Sequence, residues 1–441
     1  MEAAKKSIYD TVLIEANDQK KRIELKESVI AFEYYEDIFS PVVTAKLKIV
    51  NTGNSASTEK DTSKQSLYNG LPLRGGERLA LKLKPNSKSN IGLDFATKVE
   101  DYFYVSSITD VIAETQKESF TLHLVPREAI TNETVRVTRK YPTSLSIDGS
   151  VEKILKEVLQ TKKIGKLDKT SNKYGFIGNM RKPFTVLTWL ASKSVPTVSK
   201  DGTAGFLFYQ TKEGFNFRSI DEMNKEKSKA TYVYSEAVES YTPDNQKVNN
   251  DFKILNYFID RNQNLIEKLR LGTYASYRMF FNPLDFKFSN PEEGVFKQSD
   301  YAKSTENLGD RLKLPKISDG SDKTLGDVPS RMITQILDVG TLEQEVSTDK
   351  NSDPQKYQSQ SLMRYNSLFT QQLNVIVPLN TNLSAGNIIE CNFPKISSSD
   401  KKEFDQETSG LYMIKELCHH FDTESSYTSM KLIRDTFGQK K

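Results

Sequence analysis

The chain has 441 residues, 37% of them hydrophobic and 27% charged, with a formal net charge of +4. That length exceeds the roughly 250–300 residues one core usually serves, so two or more domains are expected. The near-neutral charge gives no electrostatic case for a nucleic-acid binder, two cysteines cannot build a disulfide framework, and 23 Phe and 20 Tyr against one Trp favour sheets over helical bundles.

Lys5 and Lys6 are followed by no apolar block, so no secretory signal is expected. The longest apolar stretches, such as 186–191, fall far short of the roughly 18 residues a spanning helix needs. Residues 12–14 and 23–25 read as a hairpin around the polar turn Asn17-Asp18-Gln19-Lys20. The aromatic and β-branched run 29–51 is broken by Pro41 and reads as two strands with a bend, because proline cannot donate to a central ladder. Residues 54–64, rich in Ser, Thr, Lys and Asp, read as a loop. Strands follow at 76–85, 102–108 and 120–125. Leu79, Leu81 and Leu83 alternate with Arg78, Lys82 and Lys84, which gives that sheet one buried and one wet face.

Helical spacing then takes over. Val151, Ile154, Leu155, Val158 and Leu159 form an apolar stripe after Asp148-Gly149-Ser150, which reads as the N-cap, with Glu152 and Lys156 in i,i+4 order on the polar side. A second helix starts at Pro183, suited to a first turn, and runs through Phe184, Leu187, Leu190 and Ala191, with Trp189 read as packing. Residues 205–221 read as a tight hairpin in which Gly214 supplies the positive φ of the turn.

Strand 253–259, a helix over 264–270 stopped by Gly272, and strand 277–281 open a second sheet domain. Residues 290–360 lack apolar periodicity and are rich in Asp, Ser, Lys and Gly; they read as a peripheral, loop-rich insertion interrupted by a short helix at 329–337. A helix at 361–372 leads into strand 373–377. The last three strands, 386–394, 411–417 and 427–435, repeat in altered form the order 76–85, 102–108, 120–125, so a duplicated three-strand unit is expected. Ile389, Cys391 and Phe393 oppose Glu390 and Asn392, so this copy too is expected to have one buried and one wet face, and Cys391 and Cys418 are expected as buried free thiols.

Of the three histidines, His123 falls in a strand, and His419 and His420 are neighbours in another, hence on opposite faces and unable to share a metal. No Gly-x-Ser-x-Gly elbow, phosphate loop or paired-cysteine motif occurs. The carboxylate pairs Glu114/Glu118 and Glu403/Asp405 fall in polar segments read as loops or turns, and no pattern aims either pair at one cleft. The chain is therefore expected to be no enzyme, with no catalytic, cofactor-binding or metal residues and no cofactor.

Four stretches in order carry a resemblance: 32–44 from Phe32-Glu33-Tyr34-Tyr35 through Ser40-Pro41-Val42-Val43-Thr44, 71–77 ending Arg74-Gly75-Gly76-Glu77, the hairpin 205–221, and 409–435 from Ser409-Gly410-Leu411-Tyr412 to Arg434-Asp435. Together they resemble the central baseplate hub protein of contractile-tailed phages (myoviruses), a family related to the hub portion of type VI secretion spike proteins. The resemblance implies two similar antiparallel β-barrel-like, tube-type domains per subunit, assigned to 1–130 and to 246–285 with 370–438. With the α+β domain (131–245) and the insertion (286–369), which the family pattern does not match, the expected fold is a mixed, β-rich α+β one. It further implies a homotrimeric ring that joins a six-fold tail tube to a three-fold central spike and surrounds the channel through which the genome passes. Implied partners are the spike protein, the tube protein and adjoining baseplate proteins; DNA is met only by passage through the channel, and no membrane is bound. The implied location is the tail baseplate of the virion, assembled in the host cytoplasm. No spike segment continues after Phe437-Gly438, so a separate spike partner is expected. The alternatives are the hub of a secretion or injection system and a cell-wall hydrolase with its site in the insertion.

Overall fold

The computed structural model describes residues 2–52, 66–71, 73–197, 203–235, 249–260, 264–311, 313–339, 351–395 and 403–438. The loop expected at 54–64 lies outside them. Strands β1 (Ile8–Glu15) and β2 (Arg22–Glu24) form the expected hairpin, with Leu13 opposite Glu24. β3 (Val29–Asp37) and β4 (Thr44–Thr52) pair antiparallel on either side of Pro41. After α1 (Leu67–Gly70) come β5 (Arg78–Lys84), β6 (Leu93–Phe95), β7 (Phe103–Ala113) and β8 (Lys117–Pro126). Leu79, Leu81 and Leu83 enter a core with Val12, Phe32, Leu47, Phe103 and Leu122, while Lys82 and Lys84 stay accessible, as the alternation requires.

The middle of the chain holds α2 (Arg127–Thr134), β9 (Lys140–Tyr141), α3 (Ile147–Lys153), β10 (Ile164–Leu167), β11 (Phe176–Ile177), α4 (Pro183–Ala191), β12 (Phe206–Thr211), β13 (Gly214–Ser219) and α5 (Ile220–Asn224). The cap of α3 is Ser146, whose Oγ accepts from the Gly149 N–H at 3.3 Å, so this helix starts earlier than a cap at 148–150 would place it. Beyond Lys153 it loosens into a π turn, where the Leu159 N–H reaches the Ile154 carbonyl at 3.0 Å. Its stripe of Val151, Ile154, Leu155 and Leu159 shares one core with Phe184 and Leu187 of α4 and with Phe206, Phe215 and Phe217 of the hairpin.

The remainder comprises β14 (Thr231–Tyr234), β15 (Lys253–Ile254), β16 (Asn256–Asp260), α6 (Leu265–Leu271), β17 (Ala275–Asn282), β18 (Lys287–Phe288), β19 (Val295–Lys297), β20 (Arg331–Ile336), α7 (Pro354–Ser367), β21 (Gln371–Pro378), β22 (Ile388–Asn392), β23 (Gly410–Asp422) and β24 (Ser426–Arg434). Asn264 caps α6 and Gly272, at φ 70°, ends it, as the sequence suggests. Two helix expectations need correction. Residues 329–337 contain strand β20, which pairs in parallel with β17 from Ser276/Arg331 to Phe281/Ile336, and its alternation is that of a strand. The helix expected at 361–372 is α7, which starts at Pro354 behind the cap Asp353 and stops at Ser367. Its buried face is Gln360, Met363, Arg364 and Ser367, a polar stripe that an apolar pattern search passes over.

The two halves do not form separate antiparallel barrels. β3 pairs with β23, setting Phe32 opposite Phe421 and Tyr34 opposite His419, so both halves join one 15-stranded sheet. At the far side β14 adds to β22 and to β15 in parallel, so the pairing is mixed. The other sheets are small: three strands (β10, β13, β12), two (β11, β9) and four (β18, β17, β19, β20).

Candidate assembly surfaces

The expected repeat is present as two meanders, β5-β7-β8 and β22-β23-β24. Leu79 stands opposite Phe103, and Ile389 opposite Tyr412. Two residues on from each aromatic, after Val105 and after Ile414, the central strand bulges by one residue. Three residues before each opposed aliphatic stands a glycine with positive φ, Gly76 at 93° and Gly386 at 85°. The Gly76 N–H donates to the Val105 carbonyl at 2.7 Å and the Gly386 N–H to the Ile414 carbonyl at 2.8 Å. The return bonds, from the Val105 N–H to Glu77 and from the Ile414 N–H to Asn387, are both 2.9 Å. Bulge and glycine together fix the twist and register of the same three-strand unit in both places.

The units differ in what covers their outer faces. In the first, Arg78, Tyr104 and Val125 are half-buried. The matching residues of the second, Ile388, Met413 and Ile433, are sealed in a core with Leu207, Tyr209, Ile220, Met223 and Leu368. The expectation of one wet face per copy therefore holds for the first copy only; the apolar side chains at 388, 413 and 433 supply the surface on which the hairpin β12–β13 and α5 dock.

Two buried polar joints hold these layers. Glu36 of β3 accepts from the Lys212 N–H (2.7 Å), the Tyr34 hydroxyl (2.9 Å) and the Ala385 N–H (2.8 Å), tying the first unit to the hairpin turn and to the loop before β22. Burial pushes its carboxyl pKa up, with Lys212 pulling against the shift. Arg364 of α7 donates to Asp221 (2.8 Å), Asp435 (3.2 Å) and the Glu306 carbonyl (3.0 Å), and Asp435 also accepts from the Leu308 N–H at 3.1 Å. α7 is thus a strut between α5, the segment 306–308 and the end of β24, although it belongs to the stretch 286–369 expected to be peripheral. Neither joint was anticipated from the sequence, because partners so far apart in the chain leave no local pattern.

The sheet of β17 and its neighbours presents an apolar face to solvent. Tyr277 lies opposite Val295 and Met332, and Phe281 opposite Phe288 and Ile336. Met332 is 75% exposed, Ile336 72%, Phe286 79% and Phe288 57%. Among the described residues β20 pairs with β17 alone, so its outer edge is open.

The residues weighed for chemistry are dispersed. His419 is buried with Nδ1 3.0 Å from the Thr428 hydroxyl; His420, on the other face, lies 3.1 Å from Glu33; and His123 Nε2 is 2.9 Å from the Thr109 hydroxyl. Cys391 is buried, but Cys418 is only partly so, which corrects the expectation of two buried thiols; both are free. Glu118, read as a loop residue, lies within β8 and is buried, while Glu114 sits outside that strand with Lys117 at 3.4 Å. Glu403 is 3.0 Å from Lys395, and Asp405 accepts from the Glu407 N–H at 3.2 Å. Among the described residues no three His, Cys, Asp or Glu side chains gather as metal ligands, and no helix is long and apolar enough to cross a membrane.

No family model matches the chain, and no curated protein matches it by sequence. Its likeness to solved structures is one of shape. The tail protein from Neisseria meningitidis MC58 superposes with a TM-score of 0.53 over 96% of each chain at 10% identity. The prophage MuSo2 43 kDa tail protein from Shewanella oneidensis gives 0.49 over 97% of this chain and 98% of that one, at 8% identity. An E. coli component of the type VI secretion system gives 0.45 over 97% and 79%, at 10% identity. From end to end, then, the chain has the fold of the Neisseria tail protein.

Proposed function

We propose that the chain is a structural hub of a contractile-tail baseplate and has no catalytic role. Three copies close a ring around the channel for genome passage, with a six-fold tube on one face and a three-fold spike on the other. In this reading 1–130 and 246–285 with 370–438 are the two tube-type units, 131–245 is an α+β unit that braces them, and 286–369 supplies strut and outer surface. The protein is assembled in the host cytoplasm and resides in the virion, in contact with spike, tube and adjoining baseplate proteins. The observation that carries this is the pair of meanders with matched glycine, bulge and register. Two near-equivalent units in each of three chains make six, the number a tube face requires, while the chain count stays at three for the spike. The fold shared with the Neisseria tail protein over nearly the whole length, and the open edge at β20, support the same reading. A cryo-EM map of the parent particle tests it. Three copies at the junction of tube and spike are expected; a different copy number, or a position away from that junction, overturns the proposal.

A further inference from the structure

Charge is distributed unevenly along the chain. Residues 135–197 contain 13 Lys or Arg against four Asp or Glu, a net +9 where the whole chain has +4, so the remainder is net acidic. Within this basic stretch a cavity of about 660 Å³ opens beside α4, lined by Phe176, Ile177, Arg181, Phe184, Thr188 and Trp189 among others. Its volume lies in the range of roughly 300–1,000 Å³ that ligand pockets occupy. Aromatic contacts build its wall: Trp189 meets Tyr174 and Phe176 edge-on, at 5.2 and 5.6 Å between ring centres. Yet Trp189 remains 39% exposed and Ile177 49%, so apolar surface faces water at the mouth.

The rim is cationic. β11 lies against β9, which sets Ile177 opposite Lys140, and the Val137 N–H donates to the Arg181 carbonyl at 2.9 Å. A Cβ at Gly178 would collide with the Val137 carbonyl, so only glycine lets these two segments approach. Arg181 thus lines the opening, Lys140 stands beside Ile177 at its edge, and Arg139 and Lys182 are their neighbours in sequence. Arg139 is paired with Glu157 and Lys182 with Glu133, whereas Arg181 makes no ion pair among the described residues.

We infer that this cavity docks an acidic segment of a partner protein, whose bulky apolar side chain enters between Trp189 and Ile177 while flanking carboxylates meet Arg181 and its neighbours. Charge complementarity selects the acidic partner. A single apolar pocket selects a protein side chain, since a nucleic-acid strand calls for successive stacking faces along a basic track. This inference stands independently of the hub reading.

Trp189 is the only tryptophan in the chain, so tryptophan emission, excited selectively over tyrosine, reports on this pocket alone. The full-length protein is titrated with a short Asp/Glu peptide carrying one central Phe, with the same peptide carrying Ala in its place, and with oligothymidylate. Only the first is expected to give a saturable emission shift, weakened by added salt. Arg181→Glu and Ile177→Asp, both at exposed positions, are each expected to weaken binding about tenfold with an unchanged circular-dichroism spectrum. No shift with the Phe peptide, an equal shift with the Ala peptide or oligothymidylate, or full affinity in Arg181→Glu overturns the proposal.

Discussion

Arg364 and Asp221 meet at 2.8 Å with both side chains almost sealed from water, one on α7 and the other in the first turn of α5. Asp435 joins them at 3.2 Å. A buried charge stripped of its partner is costly, so Arg364→Met is expected to lower the unfolding free energy by about 3–5 kcal/mol in urea titrations. Arg364→Lys should recover only part of this, because an ammonium cannot bridge both carboxylates in a fixed fork. Adding Asp221→Asn to Arg364→Met should cost little more. Strictly additive losses would show that the two side chains do not act together.

His419 gives the fold a pH dependence with a definite sign. Burial, aided by the nearby Lys212 ammonium, pushes its pKa down to about 3 from an ordinary value of 6.5. Above pH 6.5 the imidazole is neutral in both states and contributes no slope. Between pH 6.5 and 3 the unfolded chain takes up a proton that the folded one refuses, so stability falls as pH falls, by at most about 1.4 kcal/mol per pH unit. His419→Gln removes this component. Wild type is expected to lose stability faster than the variant between pH 7 and 4 in chemical denaturation series, and parallel profiles would refute the assignment.

Much of the sheet was legible because period-two alternation survives in β5, β22 and β24, and because Pro41, Gly214 and Gly272 mark turns and a helix end by their own backbone limits. α7 was only half legible: the polar residues Gln360, Ser361 and Ser367 carry no local sign of burial, which becomes favourable through Arg364 and its partners. Those partners lie 143 and 71 residues away in sequence. The union of the halves was hidden for the same reason, since the β3–β23 pairing joins opposite ends of the chain. At the cavity beside α4 Trp189 reads as packing, which its edge-on contacts with Tyr174 and Phe176 bear out, while the basic stretch around it vanishes when charge is summed over the whole chain.

The covered outer face of the second meander separates equivalent positions energetically. Met413 occupies in β23 the place Tyr104 holds in β7, but Met413 is fully buried and Tyr104 only half so. Met413→Asp places an unpartnered carboxylate in a dry layer and should prevent folding or cost about 4 kcal/mol or more. Tyr104→Asp leaves its carboxylate within reach of water and should cost about 1 kcal/mol. Thermal unfolding and soluble yield of the two variants measure the contrast, and equal losses would mean that the outer faces are alike.

The apolar face of β17 and β20 is where the ring reading meets its sharpest test. Met332 and Ile336 project from an edge strand with no proline in Arg331–Ile336 and with its only charge at the first position, so the usual devices that block edge pairing are missing. Phe286 and Phe288 extend the same exposed surface, which a stable monomer would be expected to cover. If this face forms the contact between copies, wild-type protein should sediment as a trimer or aggregate, and Met332→Lys with Ile336→Lys should shift it toward monomer. Neither side chain contributes to a core, so the double variant should unfold within about 1 kcal/mol of wild type. Analytical ultracentrifugation across a concentration series distinguishes the cases. A trimer unaffected by both lysines would place the contact elsewhere on the chain, whereas a wild-type monomer stable at high concentration would remove the physical basis for a ring.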